Sequence, residues 1–177
     1  MDKSKHLVWI DLEMTGLDAQ KDRILEIAVL VTDANLKVVA EGPDLIIRQT
    51  SAVLEQMLPV VHQMHLSSRL LDLVLNSSIS LAQAEQQVLN FLAPYGAAGT
   101  MPLCGNSIWQ DKLFLIHHMP ALNHFLHYRI IDVSTIKELV TRWYGVPEFK
   151  KTKQHRALSD IHESIAELSF YRDKYFK

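Results

Sequence analysis

The sequence predicts an α/β fold: a mixed sheet with an antiparallel opening meander, flanked by helices. Three observations carry that expectation. Apolar, β-branched runs separated by short polar turns fill residues 7–48. From Ser51 onward the apolar period becomes helical. Two later short apolar runs, 101–104 and 129–133, each fall between helical stretches. Strands joined by short turns pair antiparallel, whereas strands separated by helices can run parallel.

The elements follow in order. Residues 1–5 are a polar lead-in, and 7–14 form the first strand. In it Val8, Ile10 and Leu12 alternate with Trp9, Asp11 and Glu13, the period of a strand with one face in a core. Thr15-Gly16 ends it, and Asp18 to Asp22 is a polar turn. Residues 24–31 are a second strand carrying Glu26, which could join a site with the acids of the first strand but is better explained by capping or pairing with Arg23. Residues 36–40 and 45–48 read as two further extended pieces, divided by a Gly42-Pro43 break. Ser51 is placed to cap a helix with Leu54, Met57 and Leu58 on one side, interrupted by Pro59. Ser67 or Ser68 opens the next, with Leu70, Leu71 and Val74. Ser80 caps a longer helix whose apolar face is Val88, Leu89, Phe91 and Leu92; Pro94 and the loop 96–99 end it. After the strand 101–104, Gly105-Asn106-Ser107 turns into a helix with Asp111 near its start and Phe114 and Leu115 facing inward, ending near Pro120. The strand 129–133 leads into a helix capped by Asp132 or Ser134 that stops at Gly145 and Pro147. A basic loop, 149–154, precedes a final helix with a stripe of Leu158, Ile161, Ile165 and Leu168.

The 177 residues suggest one domain with a sizeable core. A net charge of −2 argues against a long electrostatic track for duplex or polymeric nucleic acid, but not against a short fragment with few phosphates. Cys104 stands alone, so no internal disulfide forms, and with no signal peptide visible a reducing cytoplasm is expected. No apolar run approaches a membrane span.

The chemistry starts from Asp11 and Glu13. Two carboxylates on one face of a central strand repel each other, and partial burial adds desolvation. A divalent cation between them relieves both costs. The competing explanation is an edge strand with a solvated acidic face. Two more acids fall at informative places: Asp111 near the start of a helix that follows a buried strand, and Asp160 beside the apolar stripe of the last helix. His155, five residues before Asp160, is expected on the loop or first turn, leaning back over it. Taken singly, Asp111 could serve a helix dipole, Asp160 a solvated helical position and His155 a surface loop. Together they suit two-metal phosphodiester hydrolysis, in which carboxylates hold two ions about 3.5–4 Å apart and a neutral histidine takes a proton from water. Hard oxygen ligands favour Mg²⁺ or Mn²⁺ over zinc. His117-His118, His62 and His65 lack zinc-ligand spacing.

Four motifs carry a family resemblance. They are Trp9 to Leu17 (WIDLEMTGL), Cys104 to Ser107 with Gln110-Asp111, His127 to Arg129 with Asp132 to Thr135, and His155 to Leu158 with Asp160-Ile161. From about residue 7 to about residue 173 the chain resembles the oligoribonuclease family, exonucleases of the DEDDh type with four acidic residues and a histidine. The resemblance implies a ribonuclease H-like fold, a single exonuclease domain over 1–177 and a homodimer. It implies 3′→5′ hydrolysis of very short RNA oligonucleotides, down to dinucleotides, to 5′-mononucleotides. Asp11, Glu13, Asp111 and Asp160 match the metal carboxylates, and His155 the general base. Leu17 matches a residue that wedges against a base. Ser107 and His65 match residues near the substrate phosphates. Tyr128 and Arg129 match residues that reach across the dimer to stack on a base and cap the 5′ phosphate.

The chain departs from the family pattern at three places. Val60 stands where a base-stacking tryptophan is usual, Arg69 where a glycine is usual, and Trp109 where a small or polar residue is usual. Trp109 could replace the missing ring or simply pack, and packing is the favoured expectation because tryptophan is usually mostly buried. The departures keep two rivals open: a related exonuclease acting on longer RNA or DNA 3′ ends, and a non-catalytic RNA-binding relative.

Overall fold

The computed structural model describes residues 6–145, 149 and 156–176. The polar lead-in and most of the basic loop, His155 included, lie outside the described residues.

The opening meander is β1 (Leu7–Met14), β2 (Ile24–Thr32) and β3 (Val38–Ile46). Both pairings are antiparallel, with Trp9 opposite Leu30 and Glu13 opposite Glu26. The third strand is continuous, not two pieces broken at Gly42-Pro43. Its place explains why: β3 is an edge strand, where a proline without an N–H is tolerated. Gly42 is there for close packing, since a Cβ on it would fall 2.5 Å from the Phe91 ring and 2.7 Å from Val29 Cγ1.

Four helices follow: α1 (Ser51–Leu54), α2 (Pro59–Ser67), α3 (Leu70–Asn76) and α4 (Leu81–Leu92). Pro59 opens α2 at its first turn and does not interrupt a helix, which suits a residue with no N–H to donate. Thr50, not Ser51, is the N-cap of α1. Arg69, not Ser67 or Ser68, stands at the N-cap of α3, in the left-handed region at φ 61°. Ser80 caps α4 as expected, in a reciprocal capping box with Gln83.

Strand β4 (Leu103–Gly105) pairs parallel to β1, and α5 (Trp109–His118) and α6 (Pro120–Phe125) follow it. Pro120 begins a second helix as well as ending the first. Strand β5 (Ile130–Asp132) pairs parallel to β4 and completes the sheet order β3-β2-β1-β4-β5. Then come α7 (Val133–Tyr144), capped by Asp132 and ended at Gly145 in the left-handed region, and α8 (Ala157–Tyr175).

Helices cover both faces of the sheet. Val8, Ile10 and Leu12 pack with Ala84, Val88, Phe114 and Leu122 from α4, α5 and α6. On the opposite face Trp9, Leu30 and Cys104 pack with Val133, Val140, Ile161 and Ile165 from α7 and α8. A third cluster seats α1–α3 on Leu25, through Leu54, Met57, Leu70, Leu71 and Val74. All of β2 is buried, as a strand covered on both faces must be.

Candidate active site

The alternation along β1 decides where the acids go. Because Trp9 faces α8, Asp11 and Glu13 face it too. Asp160 lies in the first turn of α8 and meets them there: one carboxylate oxygen from each of Asp11, Glu13 and Asp160 lies within 4.8 Å of the others. Asp111 arrives from α5, in the opposite helix layer. Strand β4 ends at Gly105, so β1 loses its neighbour beyond Trp9, and Asp111 Oδ1 accepts the Leu12 N–H at 2.9 Å in its place. Three elements in two layers thus converge on the C-terminal half of β1.

The electrostatics are those of crowded anions. Burial first, then the charges of Asp111, Glu13, Asp160 and Glu26, push the Asp11 carboxyl well above its usual range. Glu13 is raised to about 8 by burial, then by Asp160, Glu26 and Asp111, with Arg156 opposing. Burial raises Asp111 to about 7 against the lowering effect of the Leu12 N–H. Such a set stays ionised only with a cation among its members. Its donors are all carboxylate oxygens, which fits a hard divalent ion.

Glu26 does not pair with Arg23, which instead donates to the carbonyls of Lys21 and Asp22. Its partner is Arg156, at the start of α8: Nη2 lies 2.9 Å from Glu26 Oε1, and Nε donates to both carboxylate oxygens at 3.0 and 3.2 Å. The sequence signal was a glutamate inside an otherwise apolar strand, and it pointed to the wrong arginine.

Around the acids stand three of the expected substrate residues, Leu17, Ser107 and His65. Leu17 projects into solvent, 72% exposed, and Gln110 Nε2 holds its carbonyl at 2.7 Å. Ser107 is exposed at the β4–α5 turn, where its N–H donates to Asp132 Oδ1 at 3.0 Å and Ser134 Oγ at 2.7 Å. His65 is buried, with no face open to a phosphate: its Nε2 donates to the Met14 carbonyl at 2.8 Å, and Nδ1 lies 3.8 Å from Glu13 Oε2. It backs the acid cluster from below. Val60 is fully outside at the start of α2.

Tyr128 and Arg129 are not beside the acids. Through the β1–β4–β5 register, Ile130 is level with Val8, so Tyr128, in the bend that leads into β5, lies toward the end of the sheet away from the acids. From the level of Ile130, Asp11 and Glu13 lie roughly 10–17 Å farther along the strands and about 10 Å to the side. Tyr128 is 75% exposed, stacked near His127, with the Arg129 guanidinium 5.4 Å from its ring centre. Trp109 is 54% exposed and does not pack as expected; it lines a cavity of about 510 Å³ with Ile130, Ile131, Asp132, Thr135 and Ile136 on the β5 edge. Sequence reading also missed Asn106. Its Nδ2 donates to Ser164 Oγ at 2.8 Å and to the buried Glu167 at 3.0 Å, tying the β4–α5 turn to α8.

The Exonuclease family model (RNase T) matches residues 8–168. The oligoribonuclease of Dichelobacter nodosus is 52% identical over 176 residues, 99% of this chain and 98% of that one. The human mitochondrial oligoribonuclease is 50% identical, over 98% of this chain and 75% of its own. Among solved structures, an exonuclease I from Methylocaldum szegediense superposes with a TM-score of 0.76 at 16% identity, over 98% of this chain. This chain spans about two fifths (41%) of that protein, so the likeness is one of fold, the ribonuclease H-like mixed sheet. The match in sequence over nearly the whole length is a match of family: the chain belongs to the oligoribonucleases, nuclease hydrolases of the Exonuclease family.

Proposed function

We propose that this 3′→5′ exoribonuclease is a cytoplasmic, single-domain enzyme, working as a homodimer, that degrades very short RNAs down to dinucleotides with two divalent ions, Mg²⁺ or Mn²⁺. The observation that carries the reading is the meeting of Asp11, Glu13 and Asp160 within 4.8 Å, with Asp111 locked onto the Leu12 amide beside them. Those four carboxylates would hold the ions. When bound, such ions supply a water of lowered pKa and neutralise charge on the attacking and leaving oxygens.

The chain's own groups do the rest. The Leu12 N–H fixes the Asp111 carboxylate, and His65 supports Glu13 from beneath. His155 takes the proton from the attacking water, a task suited to an unperturbed pKa of about 6.5. Leu17, anchored through Gln110, wedges against a substrate base, and the exposed Ser107 reaches a phosphate.

The strand register supports the dimer. A Tyr128 that serves the acids from the far end of the sheet has to serve those of another copy. Exposed Trp109, Tyr128 and Ile130 on the β5 edge supply apolar surface for that contact. A partner's Tyr128 and Arg129 would then close the 5′ end, limiting length because a longer RNA must pass through the cap. The cytoplasmic assignment rests on a lone, buried Cys104, as expected of a reducing compartment.

The test is to incubate 5′-labelled RNAs of graded length with and without Mn²⁺. Metal-dependent release of mononucleotides mainly from the shortest RNAs is expected. Comparable rates on long 3′ tails would favour an exonuclease of longer ends, and no metal-dependent turnover would leave a binding protein.

A further inference from the structure

We propose that the Arg156–Glu26 ion pair is a positioning device: it clamps the first turn of α8 to β2 and so sets Asp160 against Asp11 and Glu13. This rests on the reading of the four acids as the metal site.

The two ends of the device share one helical turn. Arg156 is the extended N-cap of α8, the Asp160 N–H donates to its carbonyl at 3.0 Å, and the contacts of both side chains put them on the sheet-facing side of that turn. That face looks down on a cross-strand pair of glutamates, Glu13 on β1 and Glu26 on β2, directly opposite each other. Each takes a different partner from α8: Glu13 meets Asp160, and Glu26 meets Arg156. Like charges opposite each other in a sheet are destabilising. The guanidinium neutralises the Glu26 side of that pair.

The contact is built for geometry. Glu26 is wholly buried, whereas the Arg156 side chain is 34% exposed and enters from the helix end. Nε spans both carboxylate oxygens while Nη2 adds a contact to Oε1, a planar fork that fixes direction as well as distance. A point charge on a flexible stem would not. Asp44, on the neighbouring edge strand β3, hydrogen-bonds the Glu26 carboxylate from the other side and lies within the field of the arginine. At the other end of the same turn, Ser164 Oγ donates to the Asp160 carbonyl and receives the Asn106 amide. The segment that carries Asp160 is thereby held to the sheet at Arg156 and to the β4–α5 turn at Ser164.

A role through charge alone gives the opposite sign. Removing a cation beside four carboxylates should tighten binding of a dication, whereas releasing the clamp should weaken it. The experiment measures Mn²⁺ binding to the full chain by calorimetry, without RNA, for wild type, Arg156→Gln, Arg156→Gln/Glu26→Gln and Arg156→Lys. The paired variant removes one charge of each sign, so its affinity reports geometry. Expected is Mn²⁺ binding weakened about tenfold or more in the glutamine variants, the scale seen when groups that orient metal ligands are lost. The lysine variant should fall between these and wild type. The Mn²⁺ concentration for half-maximal turnover should rise in step, with KM for RNA unchanged at saturating metal. Wild-type or tighter Mn²⁺ binding in the glutamine variants overturns the clamp. Should the paired variant lose its fold, the lysine variant, which keeps the charge, decides by the same criterion. A wild-type protein that bound no Mn²⁺ would instead overturn the metal-site reading itself.

Discussion

The acid cluster on β1 and the aromatic rim on β5 are built in opposite ways. In the cluster, Glu13 and Asp111 are buried, and Asp111 is hydrogen-bonded to the strand beside it. Three elements hold the acids there. At the rim, Tyr128, Trp109 and Ile130 stand exposed along the three-residue strand that ends the sheet. Groups that must stabilise charge need fixed positions in a site shielded from water. Groups that measure a substrate need only be present when the substrate is. On the proposed reading, one chain holds the complete chemistry and half of the ruler.

The sharpest way to break the contrast is at its centre. Asp11→Asn removes one anionic oxygen donor with little change of shape and should lower turnover by on the order of 10³-fold at every RNA length. Graded-length assays at saturating Mn²⁺ check it; a loss confined to dinucleotides would move Asp11 from chemistry to substrate selection.

The crowding also fixes a pH dependence. Unfolded Asp and Glu titrate near about 4, whereas Glu13 and Asp111 are raised to about 8 and about 7 in the folded, metal-free chain. Between these limits the folded state holds protons that the unfolded state has released. Metal-free stability therefore falls as pH rises from about 4 to about 8, by up to about 1.4 kcal/mol per pH unit for each such proton. Ions compete with those protons, so Mn²⁺ affinity should climb up to about tenfold per pH unit for each proton displaced. Melting curves with and without Mn²⁺ at several pH values check both signs. A metal-free melting temperature that rises across this window would contradict them.

At the rim, Tyr128→Ala should slow dinucleotides about tenfold, as expected for one base–aromatic stack worth roughly 1–3 kcal/mol. Longer oligomers should suffer less. Arrangement in trans has its own signature. Co-expressed Asp11→Asn and Tyr128→Ala chains should form mixed dimers with one intact site, made of one chain's acids and the other's ring. Dinucleotide turnover above that of either parent is expected, and its absence would place the ring in the same chain as the acids it serves.

The same contrast governs what could be read from the sequence. Asp11, Glu13 and Asp160 were legible because a period of two and an apolar stripe say which way side chains point. Arg156 was not legible as the partner of Glu26, since 130 residues separate them and only the docking of α8 on β2 joins them. The continuity of β3 was hidden because Gly42 and Pro43 ordinarily punctuate turns. Their acceptance depends on the strand being an edge and on Phe91 arriving from α4. Trp109 was misread for a related reason: nothing local shows that its side of the β5 edge is left open.

Arg69 supplies the smallest effect and a control for the comparison. It sits at φ 61°, ψ 17° between α2 and α3, where a side chain with a Cβ is strained by roughly 1–2 kcal/mol. The chain accepts the strain because Leu70 and Leu71 must enter the core immediately after the turn, against Leu25 and Leu54. The Arg69 side chain is itself exposed. Arg69→Gly should therefore relieve the backbone and lose little packing, with part of the gain offset by a freer unfolded chain. A net stabilisation of about 1 kcal/mol would raise the melting temperature by roughly 2–4 °C in a domain of this size. Turnover and dimerisation should stay within twofold of wild type. A lower melting temperature would mean that the arginine makes a compensating contact, and a changed length preference would extend the ruler from β5 to the α2–α3 turn.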